Sequence, residues 1–141
     1  MSPAADTKAL TQRVYDEAFN RGNVDVIDEL MSDDFVEHEE FPGLPPGKEG
    51  VRQFTQAMLQ AFPDLAVHVE DMIAENEKVV SRVRFVGTHQ GEFMGIPATG
   101  NKIEFAAIDV LAWRDGQATD HWAVTDTLAM FTQLGAIEPP G

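Results

Sequence analysis

The hydrophobic rhythm of the chain changes once, near Leu65. Before that point apolar residues recur at the three-and-four spacing of amphipathic helices; after it they recur at every second position, as in strands with one buried face. Leu10, Val14, Ala18 and Phe19 share one helical face, with Asp6 or Thr7 as the start signal and Gly22 as the stop. Asn23 is placed to cap a second, short helix carrying Val24, Ile27, Leu30 and Met31, and Asp33–His38 reads as an extended piece leaving it. The segment Phe41–Gly50 holds three prolines and three glycines and predicts a loop. A third helix follows, with Val51, Phe54, Met58 and Phe62 inward and Pro63 closing it. Four strands are then expected: Leu65–Asp71, Lys78–Gly87, Lys102–Trp113 and Gln117–Val124, with turns at Glu75-Asn76-Glu77 and Asp115-Gly116. Phe93–Lys102 is a Gly/Pro-rich connection of lid type, and Asp126–Leu134 predicts a last helix with Leu128, Phe131 and Leu134 on one face. Three N-terminal helices followed by a mostly antiparallel sheet spell an α+β fold, with the sheet curled round the helices into a cone.

Composition narrows this picture. A length of 141 residues, 43% apolar, suits one domain spanning 1–141 with a real core. Twenty-four acidic side chains against ten basic ones give a formal charge of −14, which repels phosphate backbones and anionic lipid headgroups. Neither nucleic acid nor a membrane is therefore an expected partner. No apolar run approaches the roughly 18 residues of a membrane span, and the opening MSPAADTKAL lacks a basic-then-apolar signal pattern, so a cytoplasmic protein is expected. The chain has no cysteine, which excludes disulfides, thiol nucleophiles and Cys-ligated zinc. Its four histidines lack the close spacing of a metal site, so no metal is expected.

The candidate chemistry gathers near the end of the chain. Asp109 is the only ionisable residue in the apolar run Phe105–Trp113. Desolvation of a carboxylate costs several kcal/mol unless it is paired, and it raises the pKa towards the range of a general acid or base. Asp120, His121 and Trp122 add a second carboxylate, an imidazole and an aromatic wall. If Asp115-Gly116 is a two-residue turn, Arg114 pairs Gln117, Asp109 lies opposite Trp122 and Leu111 opposite Asp120. A shift of one residue puts His121 on that face instead. Each candidate has a structural alternative. Asp109 could be satisfied by Arg82 or Arg84, Asp126 is well placed as an N-cap, Asp120 could be solvated, and His121 could simply be packed. His38, flanked by Glu37 and Glu39-Glu40, and His89, where a strand runs out, complete the polar candidates, while Phe35 and Trp122 are candidate cavity walls. His68 alternates with Leu65, Val67 and Val69 and so points away from them.

The segments DFVEHEEFPGLPPGKEGVRQF, AFPDL, VEDMIAENEKVVSRVRFVGTHQGEFMGIPATG and DGQATDHWAVTDTLAMFTQLG resemble the SnoaL-like polyketide cyclases, or ester cyclases, from about Asp6 to Gly135. The resemblance implies the cone-shaped α+β fold shared with nuclear transport factor 2, ketosteroid isomerase and scytalone dehydratase, with its pocket between sheet and helices. It also implies cofactor-free closure of a polyketide ring by an intramolecular aldol reaction. The family's acid/base aspartate falls on Asp126, and its polar pocket position falls on His38, where the cyclases carry Asn. Their Gln/His pair falls near Asp109 and Leu111 and is not kept; an aspartate at the first of these positions is closer to hydroxylase-like relatives of anthracycline pathways.

The leading expectation is a cofactor-independent acid/base enzyme acting on a small, mostly apolar carbonyl compound by aldol cyclisation or isomerisation. Asp126 or Asp109 would abstract a proton, and His38, His121 or the other aspartate would serve the oxygen. Asp120, Trp122, His89 and Phe35 would contact substrate. The alternatives are an epoxide hydrolase or dehydratase using the same carboxylates, and a small-ligand-binding protein without turnover. Apolar residues at both strand parities, as in Val79, Val80, Val83 and Val86, predict a homodimer or homotetramer through the outer sheet face.

Overall fold

The computed structural model describes residues 3–39 and 43–138. Its first helix, α1 (Pro3–Arg13), runs without interruption into a π-helix (Val14–Asn20), and α2 (Asp25–Leu30) follows. The next elements are β1 (Met31–Glu37), α3 (Gly47–Ala61), β2 (Ala66–Glu75), β3 (Lys78–Thr88), β4 (Lys102–Arg114), β5 (Gln117–Thr125) and α4 (Thr127–Gln133). Three differences from the sequence reading stand out. Asn23 makes no side-chain cap; Val24 stands at the N-terminus of α2. The loop before α3 ends at Pro46, so Lys48–Gly50 are already helical, while Phe41 and Pro42 lie outside the described residues. The extended piece at Asp33–His38 is a full strand.

That strand makes the sheet mixed. The order is β1-β5-β4-β3-β2, with β1 parallel to β5 and every other pair antiparallel. A parallel pair needs a long crossover, and here the chain from β1 to β5 supplies one containing α3, β2, β3 and β4. Alternation along β4 sets the two faces: Ile103, Phe105, Ala107, Asp109, Leu111 and Trp113 are buried under the helices, and the residues between them face out. Among the described residues no helix is long and apolar enough to cross a membrane.

Side-chain ties fix the N-terminal helices across this inner face. The Trp113 indole donates to Thr11 Oγ1 at 2.9 Å in the α1 stretch. At the other end, Asn20 Nδ2 donates to Val67 O and Asn20 Oδ1 accepts from Val67 N, at 3.1 and 2.7 Å. Tyr15 lies between these anchors. A π-helix widens the turn by one residue, and such turns are frequent at functional sites.

Candidate active site

The helices and the inner sheet face enclose a cavity of about 550 Å³. Its wall is dominated by apolar side chains, among them Phe19, Phe54, Phe85, Phe105 and Met130. Asp109 is in this wall, and it does not meet an arginine. Arg84 pairs with Glu70 and Glu104 on the outer face instead. Tyr15 OH donates to Asp109 Oδ2 at 2.6 Å, and His121 Nε2 lies 3.1 Å from Asp109 Oδ1. The other ring nitrogen of His121 faces Glu37, at 2.8 Å from Oε1 and 2.7 Å from Oε2. The backbone N–H of Glu39 donates to Glu37 Oε1 at 3.0 Å. Tyr15, Asp109, His121 and Glu37 thus form one continuous polar chain in an apolar wall.

A β-bulge decides which residues of β5 join it. Arg114 pairs Gln117 and Trp113 pairs Ala118, as a two-residue turn requires, but Ala112 pairs Asp120. Thr119 is the extra residue, and from there the pairing is offset by one. His121 therefore lies opposite Leu111 and Ala123 opposite Asp109, while Trp122 faces outward opposite Val110. The expected pairing of Asp109 with Trp122 and of Leu111 with Asp120 is replaced by the alternative that brings His121 inward. On the other side, β1 sets Glu37 opposite His121.

The electrostatics follow from burial and partners. Burial by itself lowers the basicity of His121, but the hydrogen bonds and negative charges of Asp109 and Glu37 outweigh it and raise its pKa to about 10. The ring is an imidazolium at neutral pH, with both N–H groups donating. The Tyr15 hydroxyl is pushed well above its usual value by burial, then by the charge of Asp109 and the hydrogen bond to it, so it stays a neutral donor. His121 is the sole basic side chain in the cavity wall among the described residues, against the carboxylates Glu37, Glu39 and Asp109. Among those residues no group of three or more His, Asp or Glu is arranged to hold a metal ion.

Other sequence candidates lie elsewhere. Asp126 is exposed and caps α4, its Oδ1 accepting from Ala129 N at 3.1 Å; it is the cap its position allows, and Thr125 and Thr127 face the cavity on either side of it. His38, Trp122 and Asp120 form a cluster on the outer face: His38 stacks on Trp122 with centroids 4.4 Å apart, and its Nε2 is 2.9 Å from Asp120 Oδ2. That bond and one from Thr119 hold the Asp120 carboxyl below its usual range. His89 is fully buried in the loop after β3, with Nδ1 3.0 Å from Thr99 Oγ1. Phe35 is buried in the core cluster with Ile27, Leu30 and Trp113, away from the cavity wall. Conversely, sequence reasoning gave Tyr15 no role and treated Glu37 only as a flank of His38. Tyr15 is the single tyrosine of the chain, and its place beside Val14 on the inward helical face was the available signal.

Residues 9–134 match the family of SnoaL-like polyketide cyclases. The chain is 30% identical to aklanonic acid methyl ester cyclase DauD of Streptomyces sp. (strain C5), over 96% of this chain and 83% of that protein. It is 29% identical to aklanonic acid methyl ester cyclase DnrD of Streptomyces peucetius, over 84% of each chain. Among solved structures, TsrD from Streptomyces laurentii superposes with a TM-score of 0.85 at 28% identity, over 94% of this chain and 97% of that one.

Proposed function

This chain belongs to the SnoaL-like polyketide cyclases, and from that premise we propose that it closes a ring in an aromatic polyketide ester by cofactor-independent aldol chemistry at Asp109. The observation that carries the reading is the Tyr15–Asp109–His121–Glu37 chain set in a mostly apolar cavity. Asp109 takes a proton from the carbon α to a substrate carbonyl. The enolate carbon then bonds to a second carbonyl carbon of the same molecule, and the resulting alkoxide takes back a proton. Asp109 becomes neutral on accepting the proton, so its two donors, the Tyr15 hydroxyl and the His121 imidazolium, are released to hydrogen-bond a developing oxyanion. Glu37 keeps that imidazolium charged and fixes its ring. The low polarity of the wall protects the enolate from stray protonation. A cavity of about 550 Å³ falls in the size range of small-molecule sites.

The test is to incubate the protein in D2O with an anthraquinone β-keto ester and follow mass and retention. Ring closure yields an isomer of the substrate in which the new C–C bond replaces the abstracted α proton and the new hydroxyl carries the solvent deuteron. Reversible enolate formation shows as deuterium exchange at the α position of unreacted substrate, faster than in buffer alone. Cleavage of the ester to its free acid would favour a hydrolase, a product lighter by one water would favour a dehydratase, and absence of both exchange and closure would overturn the reading.

The same proposal includes a homodimer formed through the outer sheet face, where Ile73, Val80 and Ile108 lie exposed. Sedimentation at micromolar concentration should give a dimer; a monomer would remove this part.

A further inference from the structure

We infer that Met94 is a specificity-determining residue: carried at the cavity rim on an anchored two-residue turn, its side chain packs against the aromatic body of the substrate, remote from Asp109. The inference rests on the polyketide reading of the cavity and adds the residue that selects substrate size.

Backbone conformation is the first observation. Phe93 and Ile96 exchange two hydrogen bonds, Phe93 N to Ile96 O at 3.0 Å and Ile96 N to Phe93 O at 2.9 Å. Between them Met94 and Gly95 have φ of 50° and 81°, the signature of a type I′ turn. Among the described residues three non-glycine positions have positive φ: Asn76, Asp115 and Met94. Asn and Asp tolerate the left-handed region because their short side chains bond locally; methionine has no such compensation. The chain thus obeys turn chemistry at its two β-hairpins and breaks it at Met94. A local rule broken in this way marks a functional position when the surroundings hold the residue in place.

The surroundings do so. Gln90 N and Gly91 N both donate to Ala61 O at the end of α3, at 2.9 and 3.1 Å. A Cβ on Gly91 would lie 2.5 Å from Gln60 O, so only glycine permits this approach. At the far end of the loop, Gly100 N donates to His89 O at 2.8 Å and His89 N to Asn101 O at 2.9 Å. Phe93 is buried against Phe62, with centroids 5.4 Å apart. The tip is therefore carried by a closed, seated loop, the connection that the sequence marked as lid-like.

Placement is the second observation. Met94 is 61% exposed yet part of the cavity wall, which puts it on the rim, and the core does not need it for packing. Phe93 belongs to the same cluster as Phe105, which precedes Asp109 by four residues on β4 and so lies roughly 13 Å from it along the strand, at about 3.3 Å per residue. A substrate reacting at Asp109 and filling the cavity reaches Met94 with its far end. A polarizable, adaptable thioether is well matched to an aromatic face there.

The test reads binding of 1,8-dihydroxyanthraquinone and of the one-ring ester ethyl benzoylacetate by titration calorimetry, without turnover. Met94→Asn creates the preferred Asn-Gly turn, so its melting temperature should equal or exceed that of the wild type. It should bind the anthraquinone about tenfold more weakly, with ethyl benzoylacetate unchanged, because only the three-ring probe spans the cavity. Met94→Leu, which keeps the apolar bulk, should stay within about threefold of the wild type. Equal anthraquinone affinity in Met94→Asn, an equal loss for both probes, or no anthraquinone binding by the wild type would overturn the inference. The chemistry is read separately, by turnover of Asp109→Asn on the β-keto ester, so failure of the aldol reading and failure of this one give different results.

Discussion

Strand β5 carries two histidine–aspartate contacts on opposite faces of one sheet. Inside, His121 meets Asp109 at 3.1 Å, with side chains 19% and 12% exposed. Outside, Asp120 meets His38 at 2.9 Å, with side chains 30% and 35% exposed. The distances are alike and the consequences are not. Water beside the outer pair screens its charges, and the stacking of His38 on Trp122 gives it a packing role. The inner pair is desolvated, shares its histidine with Glu37 and its aspartate with Tyr15, and faces a cavity. A short histidine–aspartate distance is therefore no sign of catalysis. Low dielectric, a further partner on each side and room for a substrate separate the two.

The comparison can be broken by neutralising one aspartate at a time. Asp109→Asn should leave a folded protein and cost at least about a hundredfold in turnover of the β-keto ester, the usual scale for a lost general base. Asp120→Asn should stay within about twofold in the same steady-state assay, since exposed pairs contribute little. Equal losses in the two variants would erase the distinction between the faces.

Glu37→Gln sharpens it. Removing one of the two carboxylates that hold His121 near 10 should bring its pKa down towards 6.5, read by NMR titration of the ring, and lower turnover by about tenfold. The stability effect has a definite sign. A histidine whose pKa is raised on folding contributes stability fully below its unfolded value of 6.5 and loses it as pH rises through about 10. Urea melts of the wild type should weaken across that window, and in Glu37→Gln the weakening should begin at the same pH and end at a lower one. Identical pH profiles for the two proteins would show that Glu37 does not govern the imidazolium.

Tyr15→Phe should reduce turnover by a smaller factor, about three- to tenfold, because the His121 donor remains on Asp109. Hydrogen bonds to charged groups contribute about 1.5–3 kcal/mol, so a lower melting temperature should accompany it in calorimetry. The smallest effect belongs to the outer face: His38→Ala should cost about 1 kcal/mol or less through lost stacking and leave turnover within about twofold. A large activity loss there would move the chemistry outward.

Asp109 was legible because one carboxylate in nine otherwise apolar or aromatic residues violates the burial pattern of a strand. The α+β order was legible for a similar reason: helical and two-residue periods are local properties of the chain. Asp126 stayed ambiguous in the sequence because its two readings, cap and base, call for the same residue type at the same place; the folded chain has it capping α4. Tyr15 and Glu37 left weak signals, one as an inward helical aromatic and the other as one acid among 24.

What the sequence determined by itself is the content of each element and the parity of its apolar face, since both repeat over a few residues. Which parity of β5 joins Asp109 was decided in the folded sheet. The bulge at Thr119 inserts one residue and exchanges the faces of everything beyond it. The partners of Asp109 were likewise settled only there. Tyr15 arrives from 94 positions away, and Glu37 reaches His121 only because β1 docks parallel to β5. Such contacts carry no local period, so they exist only once the helices and sheet have closed around the cavity.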